Sequence, residues 1–206
     1  MKLNIYKRKN KMGLIAKENG STDFKKVSAG VHESNCISIW DIGTQENKKF
    51  EKFNRKIMIQ WEVDELVDVE GVEKPMTILK EYTLSLNDKS NLRADLVSWR
   101  GRDFTEAELD GFDLKDILGK PCQLNVVHRE NGGKTYANIL AIMPKGKSQS
   151  GDPVNNLSFY SIDDSGFDYP EGLPEWIIKK VEQSDEFKSF SPKVETVSEG
   201  EEGCPF

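Results

Sequence analysis

Histidine is nearly missing from this 206-residue sequence, with only His32 and His128, 96 positions apart (128 − 32). No CxxC, HExxH, Walker A or GxGxxG pattern occurs, so the common zinc, metalloprotease and nucleotide-binding chemistries have no foothold. Cysteine is as scarce: Cys36, Cys122 and Cys204 are odd in number and far apart. That spacing argues against a disulfide framework and fits a reducing cytoplasm. Apolar runs are short, and none approaches the roughly 18 residues of a membrane helix. Basic residues near the start (Lys2, Lys7, Arg8, Lys9, Lys11) lead into no apolar stretch, so a secretory signal is not expected. Carboxylates are plentiful but scattered. No catalytic residue, metal site or cofactor is expected, and the chain does not read as an enzyme.

Charge is abundant and unevenly placed. Residues 147–206 hold 5 Lys against 13 Asp and Glu (5 − 13 = −8), whereas the whole chain is only −6. Residues 1–146 are therefore slightly basic, and residues 1–60 carry 13 basic against 6 acidic groups. A basic body attracts a polyanion, and an acidic end repels it or binds another partner. With 36% hydrophobic and 31% charged residues, the composition is that of one globular domain with a polar extension.

Periodicity supplies the elements. Val27 to Ile42 alternates as a strand, with Gly30 marking a bend. Lys52 to Glu65 alternates most cleanly: Phe53, Arg55, Ile57, Ile59, Trp61 and Val63 share one face. Its other face (Lys52, Asn54, Lys56, Met58, Gln60, Glu62) is polar, suited to solvent or a polyanion. An acidic loop, Leu66 to Lys74, precedes a strand over Thr77–Leu86. Asn87 is placed to cap a helix carrying Leu92, Leu96 and Trp99, stopped by Gly101. Thr105 and Glu108 form a capping box for a second helix with Leu109, Leu114, Ile117 and Leu118, ended by Gly119 and Pro121. Strands over residues 122–128 and 135–143 are joined by the turn Glu130-Asn131-Gly132-Gly133. The fold expected is mainly β with a helical insertion (α+β), a five-stranded Greek-key barrel of the OB type.

Four regions follow. Residues 1–26 form a basic arm, with Leu14 and Phe24 as anchors. Residues 27–146 form the OB-like domain. Residues 147–190 are a linker and a short helix from Pro174, packing on or near the domain. The chain is polar from Ser184 and reads as disordered, and residues 191–206 form an acidic, partner-binding tail.

Single strands are held by cations that track phosphates and by aromatic faces on which bases stack. Candidates for the first role are Lys52, Arg55, Lys56, Lys80, Arg93, Arg100, Arg102, Arg129 and Lys134. Candidates for the second are Trp40, Trp61, Tyr82, Trp99 and Tyr136. Trp61 and Trp99, each in register with aliphatic neighbours, are better placed in a core. Arg100 and Arg102 stand at a helix end, where they also complement the dipole. In the tail, Glu199, Glu201, Glu202 and Pro205 lead to Phe206, whose ring stands beside a free α-carboxylate. A partner captures such an end with an apolar pocket and a cation.

The final GEEGCPF resembles the acidic tip of bacterial single-stranded DNA-binding proteins, although Gly and Cys interrupt its acidic run. The resemblance implies recruitment of replication and recombination proteins through Glu199, Glu201, Glu202, Pro205 and Phe206. The body is similar to a family encoded in phage and prophage replication regions and linked to single-stranded DNA binding. The similar stretches are GVHESNCISIWDIGTQ, YTLSLNDKSNLRADLVSWRGRDFTEAELDGFDLKDILGKPCQLNVVH, GKTYANILAIMPKGK and LPEWIIKKVEQSDEF, spanning most of Gly30 to Phe187. What this implies is a sequence-nonspecific single-stranded DNA-binding protein, and nothing resembles a recognition helix. An alternative stays open: an OB-like interaction or counter-defence factor that binds a host or phage protein. Oligomeric state and the choice of DNA over RNA are not legible, and a homo-oligomer is allowed.

Overall fold

A computed structural model of the chain describes residues 25–47, 51–147 and 151–190. Three long strands come first: β1 (Gly30–Asn47), β2 (Lys52–Val69) and β3 (Val72–Thr83). Helices α1 (Asn91–Arg100) and α2 (Glu106–Asp110) and a 3-10 turn (Leu114–Ile117) lead to β4 (Pro121–Asn131) and β5 (Lys134–Met143). A short β6 (Ser158–Tyr160) and helices α3 (Ile162–Ser165), α4 (Glu175–Val181) and α5 (Asp185–Phe190) complete the described part. The expected anchors Leu14 and Phe24 lie outside it.

Local chemistry explains most boundaries. Gly101 ends α1 in the left-handed region (φ 67), and Thr105 with Glu108 closes the expected capping box. Gly132 and Gly133 both take positive φ between paired Asn131 and Lys134, a two-residue hairpin turn. Four expectations need correction. The acidic loop is a second such hairpin: Glu70 (φ 55) and Gly71 (φ 82) turn between paired Val69 and Val72. Ser90, not Asn87, caps α1, accepting from Leu92 N at 3.2 Å, while Asn87 accepts from Lys89 N one turn earlier. The second helix breaks at Gly111, whose backbone is extended, and Asp113 caps the 3-10 turn by accepting from Lys115 N at 2.8 Å. Order continues past Ser184 into α5.

The sheet order is β3-β2-β1-β4-β5, antiparallel throughout, and β6 joins β1 in parallel. β4 pairs with β1 over Gly30–Asn35, and β6 takes over at Ser38–Trp40. Edge strands β3 and β5 come within 8 Å at their Cα atoms. The inner face buries Ile39, Ile59, Trp61, Leu124 and Ile142 under Leu92, Leu96 and Trp99 of α1. Trp61 and Trp99 are thus core, as their register implied.

The outer face of β2 departs from the expected polar surface. Met58 is 4% exposed and Glu62 3% exposed. A second core joins Trp40, Ile42 and Met58 to Tyr160, Ile162, Leu173, Ile177 and Val181 of the returning chain. Polar anchors hold that strap in register. Glu62 accepts from the backbone N–H groups of Val154 and Asn155, both at 2.8 Å. Asp41 accepts from Ile162 N at 3.2 Å, and Arg55 reaches Asp163 at 2.8 Å. Thr44 donates its N–H and its hydroxyl to Glu186 at 2.7 Å each.

Ile177 is fully buried in the second core. Ile177→Ala should therefore lower unfolding stability by about 2 to 5 kcal/mol. Urea denaturation checks this, and an unchanged midpoint would mean that the strap is not packed on the sheet.

Candidate nucleic-acid interface

Most of the cations nominated from the sequence are already engaged within the fold. Arg55 lies between Asp41 and Asp163. Lys80 reaches Asp95 Oδ2 at 2.6 Å, and the Tyr82 hydroxyl donates to the same oxygen at 2.7 Å. Burial, and then the neighbouring Asp95, push the Tyr82 phenol well above its ordinary pKa. Arg93 pairs with Asp88 and, at 3.3 Å, with Asp103. Arg100 pairs with Glu108 and lies over the Phe104 and Phe112 rings, 4.4 and 5.0 Å from their centroids. Arg102 forks onto the same carboxylate at 2.9 and 2.8 Å. Arg102, then the Thr105 N–H, hold the Glu108 carboxyl far below the usual carboxylate range.

Two expected stacking faces are also corrected. Tyr82 belongs to the inner core and Trp40 to the outer one. Trp40 Nε1 donates to Ser158 Oγ at 2.9 Å. Sequence could not separate these roles, because an aromatic beside a polar residue suits a binding face and a core rim equally.

What stays open is a cleft of about 720 Å³ where β2 begins, β3 ends and α1 starts. Lys52, Lys56 and Lys89 line it, with Asn54, Asn87 and Asn91 between them. Lys52 and Lys89 have no ion-pair partner among the described residues. Lys56 meets only Glu81, at 3.8 Å, and Glu81 is itself bridged by Lys180 at 2.7 Å. Ser90 and Asn91 bring the start of α1 to the cleft wall, and no acidic residue occupies its first turn. The positive end of the helix dipole thus adds to the lysines. Lys89 was missed by the sequence reading, although its place just before a helix start was a usable signal.

A second open surface lies on the β4–β5 hairpin. Arg129 stands directly opposite Tyr136, whose side is 49% exposed, and Lys134 sits beside the Gly132-Gly133 turn. Neither cation has an ion-pair partner among the described residues. Trp176, 41% exposed and edge-on to Trp40 at 6.4 Å, is a further aromatic the sequence reading did not nominate. Helical spacing could have found it, since Ile177 and Val181 share the buried face and leave Trp176 off it.

His32 bonds Asp64 and the Ser28 carbonyl at 2.9 Å each, and His128 bonds the Val27 carbonyl at 2.8 Å. Cys36 and Cys122 are buried, and burial raises both thiol pKa values. Among the described residues no three His, Cys, Asp or Glu side chains group as metal ligands, and no helix is long and apolar enough to cross a membrane. Glu199, Glu201, Glu202, Pro205 and Phe206 lie outside the described residues. No family model matches the chain, and a search of curated proteins returns no relative.

The two arginines on Glu108 differ in burial, with Arg100 at 13% and Arg102 at 56% side-chain exposure. Arg100→Ala should cost roughly 1 to 3 kcal/mol, and Arg102→Ala, whose ion pair is solvent-screened, distinctly less. Urea melts of both variants measure the difference, and equal costs would contradict a structural role specific to Arg100.

Proposed function

We propose that this protein binds single-stranded DNA without sequence preference, in the replication or recombination of a phage within a bacterial cytoplasm. The scaffold is an OB-like barrel. Supporting that reading are the strand order β3-β2-β1-β4-β5, the approach of β3 to β5, and a helical insertion between β3 and β4. Phosphates lie along Lys52, Lys56 and Lys89, and bases stack on Tyr136 and Trp176. The acidic end with Phe206 recruits partner proteins.

One observation carries this reading. The fold neutralises Arg55, Lys80, Arg93, Arg100 and Arg102 with its own carboxylates, yet leaves three lysines around one carboxylate at the positive end of α1. A polyanion is the ligand such a cleft suits.

An interaction-protein reading draws on a different feature. The tip of the β2–β3 hairpin exposes Leu66, Val69 and Val72, an apolar ribbon that a partner protein could cover.

Titration of fluorescent oligo-dT decides between them. Three lysine–phosphate contacts give a salt slope of about −2, so affinity should fall about 20-fold between about 50 and about 200 mM salt. Lys52→Ala, Lys56→Ala and Lys89→Ala together should flatten that slope. Absence of saturable binding at low salt would end the single-strand reading, and co-purification of a protein without nucleic acid would favour the other. The same titration with oligo-U reports DNA against RNA.

A further inference from the structure

A cavity of about 540 Å³ lies between the sheet and the returning chain. Its floor is Ser38, Gln60 and Thr77, one from each of β1, β2 and β3. Gln60 is on the same face of β2 as Lys56, four residues further along, about 13 Å away. Between them Met58 is buried in the second core, and α4 crosses to Glu81 through Lys180. The two hollows are therefore neighbours along one strand, separated by one helix.

Their chemistry differs. Among the described residues Glu171 is the sole charged one lining the cavity, and no cation does. A phosphate finds no lining cation to neutralise it there and one carboxylate to avoid. Phe159 and the rim of Trp40, itself only 3% exposed, contribute to the wall, and Lys115 lies over the Phe159 ring, 4.6 Å from its centroid. The remaining polar groups are amides and hydroxyls with unused capacity. Ser38 Oγ donates to Gln60 Oε1 at 3.2 Å, leaving the Gln60 Nε2 donor open. Asn155 gives its Nδ2 to Glu62 and keeps Oδ1 as an acceptor. Asn156 is exposed, and neither end of its amide has a partner among the described residues. Ser158 Oγ accepts from Trp40 Nε1 and still has its own proton to donate.

Donors and acceptors side by side, a partly apolar wall, no lining cation among the described residues and a volume in the range of small-ligand sites describe a receptor for a neutral planar heterocycle. Side-chain amides are the groups that pair with base edges. We propose that this cavity takes an unstacked nucleobase of the same strand whose phosphates lie over Lys52, Lys56 and Lys89. The lysine cleft then supplies salt-dependent affinity, and the cavity supplies contact with the base itself.

The full-length protein is titrated with two oligonucleotides of equal length and charge, one oligo-dT and one wholly abasic, with Gln60→Leu and Asn156→Leu beside the unaltered chain. The unaltered protein should prefer oligo-dT. Each variant should reduce that preference several-fold, towards about tenfold for loss of one base contact, without changing the salt slope. Asn156 is exposed, so its variant is expected to fold even if Gln60→Leu does not, and a melting curve confirms it. Salt-dependent binding with the preference unchanged in a folded Asn156→Leu chain overturns the base pocket and leaves the single-strand reading standing. If neither oligonucleotide binds saturably, the single-strand reading on which this inference rests falls, and the pocket's role falls with it.

Discussion

β1 is 18 residues long, and its backbone must be paired along both edges. β2 serves one edge over nearly the whole length. β4 serves the other only as far as Asn35, and a bulge follows between Cys36 and Ser38. Left there, the central strand would present bare N–H and C=O groups in the middle of the molecule. β6 closes that gap by pairing with Ser38, Ile39 and Trp40. The need to complete β1 brings the chain back more than a hundred residues later, and the rest of the architecture follows from that return.

Once β6 is seated, the residues beside it have a fixed destination. Tyr160 and Ile162 fall onto Trp40 and Met58, and α4 follows with Ile177 and Val181. Two buried carboxylates, Asp41 and Glu62, then face strap N–H groups rather than water. Each is compensated, as a desolvated charge must be. The same return divides the outer face of β2. One end keeps a lysine cleft, the middle is covered, and beyond it lies a cavity lined mainly by amides and hydroxyls and walled partly by the strap itself.

The placement of charge follows burial. Arginines near the cores, Arg55 and Arg100, are matched with carboxylates because an unpaired charge there would carry a large desolvation cost. Lys52 and Lys89, at the rim, remain hydrated and need no such match. Lysines without an ion-pair partner among the described residues thus include Lys52 and Lys89 where α1 begins, beside Lys56, so a local positive cleft exists despite the overall charge of −6.

Features set by near neighbours in the chain were legible without coordinates. The Thr105–Glu108 capping box, the stop at Gly101, the Gly132-Gly133 turn and the inner face of β2 each depend on residues within a turn or a strand of one another. The Glu70-Gly71 hairpin was not, because a glutamate at positive φ is uncommon and gives no turn signal. Nor was the break at Gly111, where local capping by Asp113 outweighs the helical pattern. The roles of Trp40, Tyr82, Arg55 and Lys80 were undecidable in principle. Their residue types fit a ligand or a protein partner equally, and the partners that claim them stand from 13 to more than a hundred positions away. Alternation along β2 determined which side chains share a face. Only the folded chain decided what covers that face, because long-range pairing leaves no periodic trace in sequence.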